Sequence, residues 1–502
     1  MWKSKSRNID MASRRSYLWL AIGVILLVIS SGKWVVPAAT WLAPVFIMRF
    51  LRTQKAVPGL ATGAILYILA SLIMWGEMLM PDGWAWYPIL LISGLGLAMF
   101  SPYLIDRMVS PRLDGFVVTL VFPLGWTTAE YVLSLASPYA TFSSLAYTQY
   151  GNLPLMQLVS VTGIWGIPLL ITWFAAVVNW IWESEYPRAR LRCAFGIYGI
   201  ILIAVLLLGG VRLTIFAPGE ETVRVASVTT APDYRIRLRE VSTLSEKQVV
   251  GIEQRDLLLE QSRRAARLGA GIVFWQEYAV ALVSAEEAFI IPGRQLARDE
   301  QIYLGMAYST VARNENGDPA SPGERATPPE NKIVMIDPSG AIIWEYLKAN
   351  PIPGEGIMRG NGIIPVRDTP YGRLASVICF DLDFPGFILQ AGRDDVDILL
   401  APSYDWKEIV PLSTHVAVFR AVENGCSLIR CTGHGLSIAT DYQGRVRSSV
   451  DYFTSDQRVM IADVPVGGVA TLYSLIGDLF AWLCAAGLVA VIGCAVFRRN
   501  PR

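Results

Sequence analysis

Apolar residues are spread very unevenly along this chain of 502 residues, and that unevenness limits its architecture more than any other feature. Up to about Phe216 charge is scarce. From Glu220 to about Asp463 charged and apolar residues mix as in a soluble domain, and a last apolar run ends in Arg498-Arg499. A helix needs about 20 mainly apolar residues to cross a bilayer. Such segments fall near 17–32, 35–50, 58–80, 86–106, 114–135, 157–182, 195–216 and 474–497. The second is short and contains Pro37 and Pro44. The first has no convincing cleavage site and is followed by others of its kind, which argues against a removed signal peptide. The expectation is a membrane domain of about seven transmembrane helices over 1–216, a globular domain over 217–470, and a final transmembrane helix with a basic tail over 471–502.

Orientation follows from Lys and Arg, which favour cytoplasmic loops. Lys3, Lys5, Arg7, Arg14 and Arg15 precede the first span; Arg49, Arg52 and Lys55 follow the second; Arg107 and Arg112 follow the fourth. Arg188, Arg190 and Arg192 follow the sixth, and Arg498, Arg499 and Arg502 close the chain. With eight spans all of these lie on one side, whereas the 136–153 loop has no Lys or Arg. Both termini are therefore expected in the cytoplasm and the block from about 217 to 473 outside it.

Composition excludes several classes. A net charge of +1 gives no reason to expect a nucleic-acid partner. The 6 cysteines form no C-x-x-C pair, so neither a disulfide framework nor a zinc knuckle is indicated. His415 and His434 are the only histidines, and neither a catalytic metal nor a cofactor is expected.

Within the soluble block, strand-like and helix-like runs alternate. Val223–Val228, 271–276, 302–307, 374–380 and 397–401 read as strands, and 245–268 as an amphipathic helix. Lys332–Ile336 and Ala341–Leu347 flank Asp337-Pro338-Ser339-Gly340 as a hairpin, and Ala417–Asn424 is a helix closed by Gly425. The 313–330 segment reads as a loop that packs nothing. The alternation points to α/β layers.

Three of the strand-like runs end on reactive residues: Glu277, Lys348 and Cys379. A thiolate attacks a carbonyl to give an acyl-enzyme that a second nucleophile resolves. The carboxylate can take the thiol proton and return it to the leaving group. The ammonium can face the oxyanion of the tetrahedral intermediate. Glu355 could orient that lysine or serve as a second acid. Taken singly, each has a plain structural reading: a buried thiol, a solvated Glu, a solvated Lys.

Trp275-Gln276-Glu277, Tyr346-Leu347-Lys348 and Ile378-Cys379-Phe380-Asp381 with Phe384-Pro385 resemble the Glu, Lys and Cys motifs of the nitrilase superfamily. Over most of its length the chain resembles that superfamily's membrane branch, the apolipoprotein N-acyltransferase family. Phe419–Gly425, Arg430–Ser437, Thr471–Tyr473 with Gly477-Asp478, Trp126–Glu130, Tyr147–Tyr150 and Gln157–Ser160 with Gly163 and Gly166 carry the rest of the likeness. Where the family has aromatic residues after the lysine, this chain reads Ala349–Gly356, and its cysteine is followed by Phe380-Asp381.

The resemblance implies a multi-span α-helical membrane domain plus an extracytoplasmic, nitrilase-like αββα sandwich, held in a bacterial cytoplasmic membrane. It implies that Cys379 takes an acyl chain from a phospholipid and passes it to the α-amino group of a diacylated lipoprotein cysteine. Glu277 would be base, Lys348 oxyanion partner and Glu355 supporting carboxylate. Phe380, Tyr404 and Trp406 would touch substrate or membrane lipid, and a monomer is expected. A membrane-tethered amidase, with water as second nucleophile, and a non-catalytic scaffold remain the other readings.

Overall fold

The computed structural model describes residues 14–80, 85–183, 188–283, 285–314, 319–320 and 326–497. Lys3, Lys5, Arg7, Arg498, Arg499 and Arg502 lie outside the described residues, as do the side chains of Arg14, Arg188, Arg190 and Arg192. The chain divides into two compact units, one up to Val211 together with Asp478 onward, the other Arg212–Gly477.

The first unit is helical. Among the described residues six helices are long and apolar enough to span a membrane: Ala56–Leu79, Trp86–Arg112, Phe116–Ala136, Leu153–Glu183, Phe195–Ile215 and Leu479–Phe497. The first two expected spans are also helices, Arg14–Val28 and Pro37–Thr53, but of 15 and 17 residues. At the α-helical rise these reach only about 23 and 26 Å, less than a roughly 30 Å hydrocarbon core. Proline sets the second start, because Pro37 opens the helix at a position where its missing N–H costs nothing. Large side chains such as Ile200, Leu208 and Val489 face outward, which suits a lipid surround and not water.

Two acidic clusters inside this unit are held by hydrogen bonds. Arg52 makes a bidentate bond to Asp106 (2.7 and 2.9 Å) and reaches Glu183 at 3.2 Å. Glu130 accepts from Trp126 Nε1 at 2.8 Å, Ser144 Oγ at 2.8 Å and the Leu145 N–H at 3.2 Å. It lies on the wall of a mostly apolar cavity of about 100 Å³, with Tyr67, Met74 and Tyr103 also lining it.

The second unit is a four-layer sandwich. Its strands are β1 (Thr222–Val228), β2 (Ile272–Trp275), β3 (Ala281–Leu282), β4 (Tyr303–Thr310), β5 (Asn331–Ile336), β6 (Ile342–Leu347), β7 (Val366–Thr369), β8 (Gly372–Ser376), β9 (Ile398–Tyr404), β10 (Ser427–Gly433), β11 (Leu436–Thr440), β12 (Val446–Asp451) and β13 (Val459–Pro465). One sheet runs β13-β1-β2-β4-β5-β6 with β3 beside β4; the other runs β12-β11-β10-β9-β8-β7. Phe274, Ile333 and Tyr346 of the first sheet share a core with Ile398, Leu400 and Ile429 of the second. The outer face of the first sheet packs on the helices Leu244–Arg267 and Glu286–Glu300, through Leu258, Phe289 and Leu296. That of the second packs on Pro385–Arg393 and Leu412–Asn424, through Ile388, Ala417 and Ala421. The order is therefore αββα. The two strands that open and close the unit, β1 and β13, pair antiparallel from Thr222↔Pro465 to Val228↔Val459.

Three sequence readings change. The strand expected over 374–380 stops at Ser376, because the Asp381 carboxylate takes the Ile378 N–H at 2.9 Å and turns Cys379–Asp383 into a 3₁₀ turn. The helix expected from Ala417 starts at Leu412. The 313–330 segment does pack in its described part: Arg313 and Thr327 exchange both backbone hydrogen bonds. Residues 315–318 and 321–325 of it lie outside the described residues.

Gly425 caps the helix Leu412–Asn424 in the left-handed region (φ 71°), where a Cβ would stand 1.8 Å from the Val469 carbonyl. Gly425→Ala is expected to lower the unfolding temperature of the purified protein measurably. Gly467→Ala, in open space, should leave it unchanged; an equal response of the two would refute this account.

Candidate active site

Each reactive residue stands just beyond the end of a strand. β2 ends at Trp275, fixed by its indole N–H to Ser262 Oγ at 3.0 Å, and Gln276 is tied to Thr230 through both ends of its amide. Glu277 follows, in a turn where Tyr278 takes φ 56°. β5 and β6 form the expected hairpin, and Lys348 continues β6 by donating its N–H to the Asn331 carbonyl at 2.9 Å. Cys379 opens the 3₁₀ turn with φ 47°, a sparsely populated conformation for a side-chain-bearing residue that the surroundings must enforce. Asp381 supplies the enforcement: its oxygens accept from Ile378 N, Tyr346 OH (2.6 Å), Asn350 N (2.8 Å) and Asn350 Nδ2 (3.0 Å).

The side chains meet as follows. Lys348 Nζ lies 2.9 Å from Glu277 Oε1 and 2.8 Å from Glu355 Oε1, and both Glu277 and Lys348 are 1% exposed. Asn331 Nδ2 donates to the same Glu277 oxygen at 2.7 Å. Glu355 is held by Tyr278 OH at 2.5 Å and by the Ile352 N–H at 2.7 Å. An ammonium carries three protons, and here they face three carboxylate oxygens, since Lys348 Nζ also reaches Glu355 Oε2 at 3.1 Å.

The Cys379 thiol is 7% exposed, and its Sγ points to the Tyr404 carbonyl at 3.8 Å. Burial pushes its pKa well up and the Glu277 carboxylate pushes the same way, against Lys348 and Arg430. Burial and the nearby Glu277 thus both favour the protonated thiol. For Lys348 burial disfavours the charge, yet Glu277, Cys379 and Glu355 outweigh it and hold the pKa well above the ordinary value. Arg430 is itself buried and gripped by Asp405 through two parallel bonds of 2.8 and 2.9 Å, the fork geometry that makes such pairs strong.

The structure thus brings Glu277, Lys348, Glu355 and Cys379 into one electrostatic cluster. Of the other candidates, Tyr404 ends β9 with its carbonyl on the thiol, Trp406 is half-buried just beyond it, and Phe380 is a buried side chain edge-on to Phe384 at 5.3 Å. Arg420 and Glu423 pair at 2.8 Å, fully buried. Cys426 and Cys431 are buried free thiols. Sequence reasoning missed Asn331, Tyr278 and the Asp405–Arg430 pair. Asn331 had a usable signal, since it starts the strand that pairs with the lysine-bearing one. The Asp405–Arg430 pair joins separate strands and leaves no local pattern.

Comparison with known proteins adds two domain assignments. Residues 241–473 match the family described as carbon-nitrogen hydrolase, and residues 23–177 match the apolipoprotein N-acyltransferase N-terminal domain. The apolipoprotein N-acyltransferase of Geobacter metallireducens is 26% identical over 539 residues, 98% of this chain and 97% of that protein. That of Brucella melitensis is 24% identical, covering 83% of this chain and 82% of its own length. The deaminated glutathione amidase of Dictyostelium discoideum is 30% identical over 138 residues, 23% of this chain and 47% of the amidase.

Replacing Lys348 by Met leaves Glu277 and Glu355 buried without their cation, a change that typically costs about 3–5 kcal/mol. Lys348→Met is expected to lower the unfolding temperature and to reduce turnover by about a hundredfold or more. Adding Glu355→Gln should recover part of the temperature and none of the turnover. Recovery of both would show that the lysine serves charge balance alone.

Proposed function

The chain belongs to the apolipoprotein N-acyltransferase family of carbon-nitrogen hydrolases, membrane-embedded acyltransferases of lipoprotein maturation, and we propose that it works through a thioester on Cys379. In the first half-reaction Sγ attacks the ester carbonyl of a membrane phospholipid while Glu277 takes its proton. The C–S bond forms, and the Lys348 ammonium meets the oxyanion by giving up the longer of its two bonds to Glu355, that of 3.1 Å. Collapse breaks the ester C–O bond, and Glu277 returns the proton to the departing lysophospholipid oxygen. In the second half the α-amino group of a diacylated lipoprotein cysteine attacks the thioester. Glu277 takes a proton from that nitrogen, an amide C–N bond forms, and the proton follows the thiolate as the C–S bond breaks.

The observation that carries this reading is a buried thiol grouped with a carboxylate that an ammonium fixes at 2.9 Å. Glu355 holds the ammonium from its other side at 2.8 Å, so the lysine cannot swing away as charge develops. Phe380, Tyr404 and Trp406 remain the proposed substrate contacts. Hydrolysis by the same acyl-enzyme is the second reading, favoured by the amidase match. It gives no role to the matched membrane domain at 23–177. The multi-pass layout with basic loops after the second and fourth spans supports placing the catalytic unit outside the cytoplasm, with both termini inside.

Incubation of the detergent-purified protein with phospholipid is expected to add the mass of one acyl chain, removable by hydroxylamine and absent from Cys379→Ala. A Cys379 that stays unacylated yet reacts with alkylating agents would count against the phospholipid donor. A cysteine placed at the exposed Ser339 should react with an impermeant maleimide on spheroplasts before lysis; reaction only afterwards would invert the topology.

A further inference from the structure

One arginine at this site has no counter-ion. Arg235 lies on the short helix Asp233–Glu240 that follows β1. Arg237, two positions on, pairs with Glu253. Among the described residues Arg235 makes no ion pair and donates no hydrogen bond. Its guanidinium carbon instead sits 3.6 Å from the centre of the Tyr404 ring and 5.9 Å from that of Tyr278.

Those two rings fix where the charge is. Tyr404 is the residue whose carbonyl faces the Cys379 thiol at 3.8 Å. Tyr278 follows Glu277 and donates to Glu355 at 2.5 Å. Arg235 therefore stands between the nucleophile side and the base side of the site, half-buried at the rim. The surrounding wall is aromatic: the His434 ring stacks on Tyr404 at 5.9 Å and 8°, and meets Phe453 edge-on at 4.7 Å. Asp233 and Glu408 act on Tyr452 and His434 from this side, yet neither forms an ion pair with Arg235.

A guanidinium seated over an aromatic ring by its central carbon keeps its N–H groups available to other acceptors. That fork matches two oxygens of a phosphate. We propose that Arg235 binds the phosphodiester of the glycerophospholipid donor, fixing the lipid so that its acyl ester lies over Cys379. In such a lipid only the glycerol backbone separates the ester from the phosphate, as only the body of Tyr404 separates the thiol contact from the arginine. The acceptor's reacting amine offers no anionic oxygen to the fork, so the contact selects the donor. This assignment rests on the acyl-transfer reading and gives its donor a headgroup subsite.

The test compares matched lipids that differ in the phosphate alone. With full-length protein in detergent, acylation of Cys379 is followed by intact mass, using a dioleoyl phosphatidylethanolamine or dioleoylglycerol donor. Wild type is expected to prefer the phospholipid by about tenfold or more. Arg235→Gln should collapse that ratio, and Arg235→Lys should keep part of it, having the charge without the fork. A ratio unchanged in Arg235→Gln overturns the proposal, whatever happens to the absolute rate.

Binding provides a second measure that needs no chemistry. In Cys379→Ala, tryptophan fluorescence is titrated with short-chain phosphatidylethanolamine, the matched diacylglycerol, or inorganic phosphate. The phospholipid should bind about tenfold more tightly than the neutral lipid, and Arg235→Gln should abolish the difference. Inorganic phosphate that binds as tightly as the phospholipid would make this a free-anion site and overturn the lipid assignment. Arg235-dependent phospholipid binding without any thioester on wild type would uphold the subsite and sink the acyl-transfer reading. A thioester indifferent to Arg235 would do the reverse.

Discussion

A single ammonium, Lys348 Nζ, set between two carboxylates away from water, is the interaction on which the rest of the catalytic unit depends. A charge in that position is tolerated only when its partners are fixed. The fold supplies fixed partners from three directions: the end of β2 for Glu277, the start of β5 for Asn331, and the loop after β6 for Glu355. Because β5 and β6 are joined as a hairpin and pair directly, the lysine and the asparagine that steadies its carboxylate move as one piece. The cluster is also asymmetric in charge. Two carboxylates face one ammonium while burial favours the protonated thiol, so a proton leaving sulfur finds an acceptor already poised.

How much of this the sequence discloses depends on what each element buries. β2, β4, β5 and β9 are largely buried and each contains an apolar run, legible without any partner. β7 and β12 lie at sheet edges with no fully buried side chain, and their polar residues carry no such signal. The helix Glu286–Glu300 was missed for a different reason, since Pro292 falls inside it and reads locally as a break. Glu277, Lys348 and Cys379 were legible because each follows an apolar run. The turn at Cys379 was not, as it exists through Asp381 bonds to Tyr346 and Asn350 more than thirty positions away. Arg235 was invisible for the same reason: only folding sets it on Tyr404.

The helical unit solves a related problem with less water at hand. Arg52 is enclosed by Asp106 and Glu183, and Glu130 by an indole, a hydroxyl and a backbone N–H. Both arrangements give every buried charge its hydrogen bonds within the protein, as a hydrocarbon surround requires. Hydropathy finds the helices and passes over these contacts, since each joins residues from different segments.

The pairing of β1 with β13 brings the points where the chain enters and leaves the sandwich side by side. A domain whose ends touch behaves as an insert: it closes its own loop, and its host need not stretch to accommodate it. Such a unit could be exchanged between membrane scaffolds, or split from one and fold unaided, at little topological cost. A chain built this way can diverge in its two parts at different rates, each answering to its own solvent.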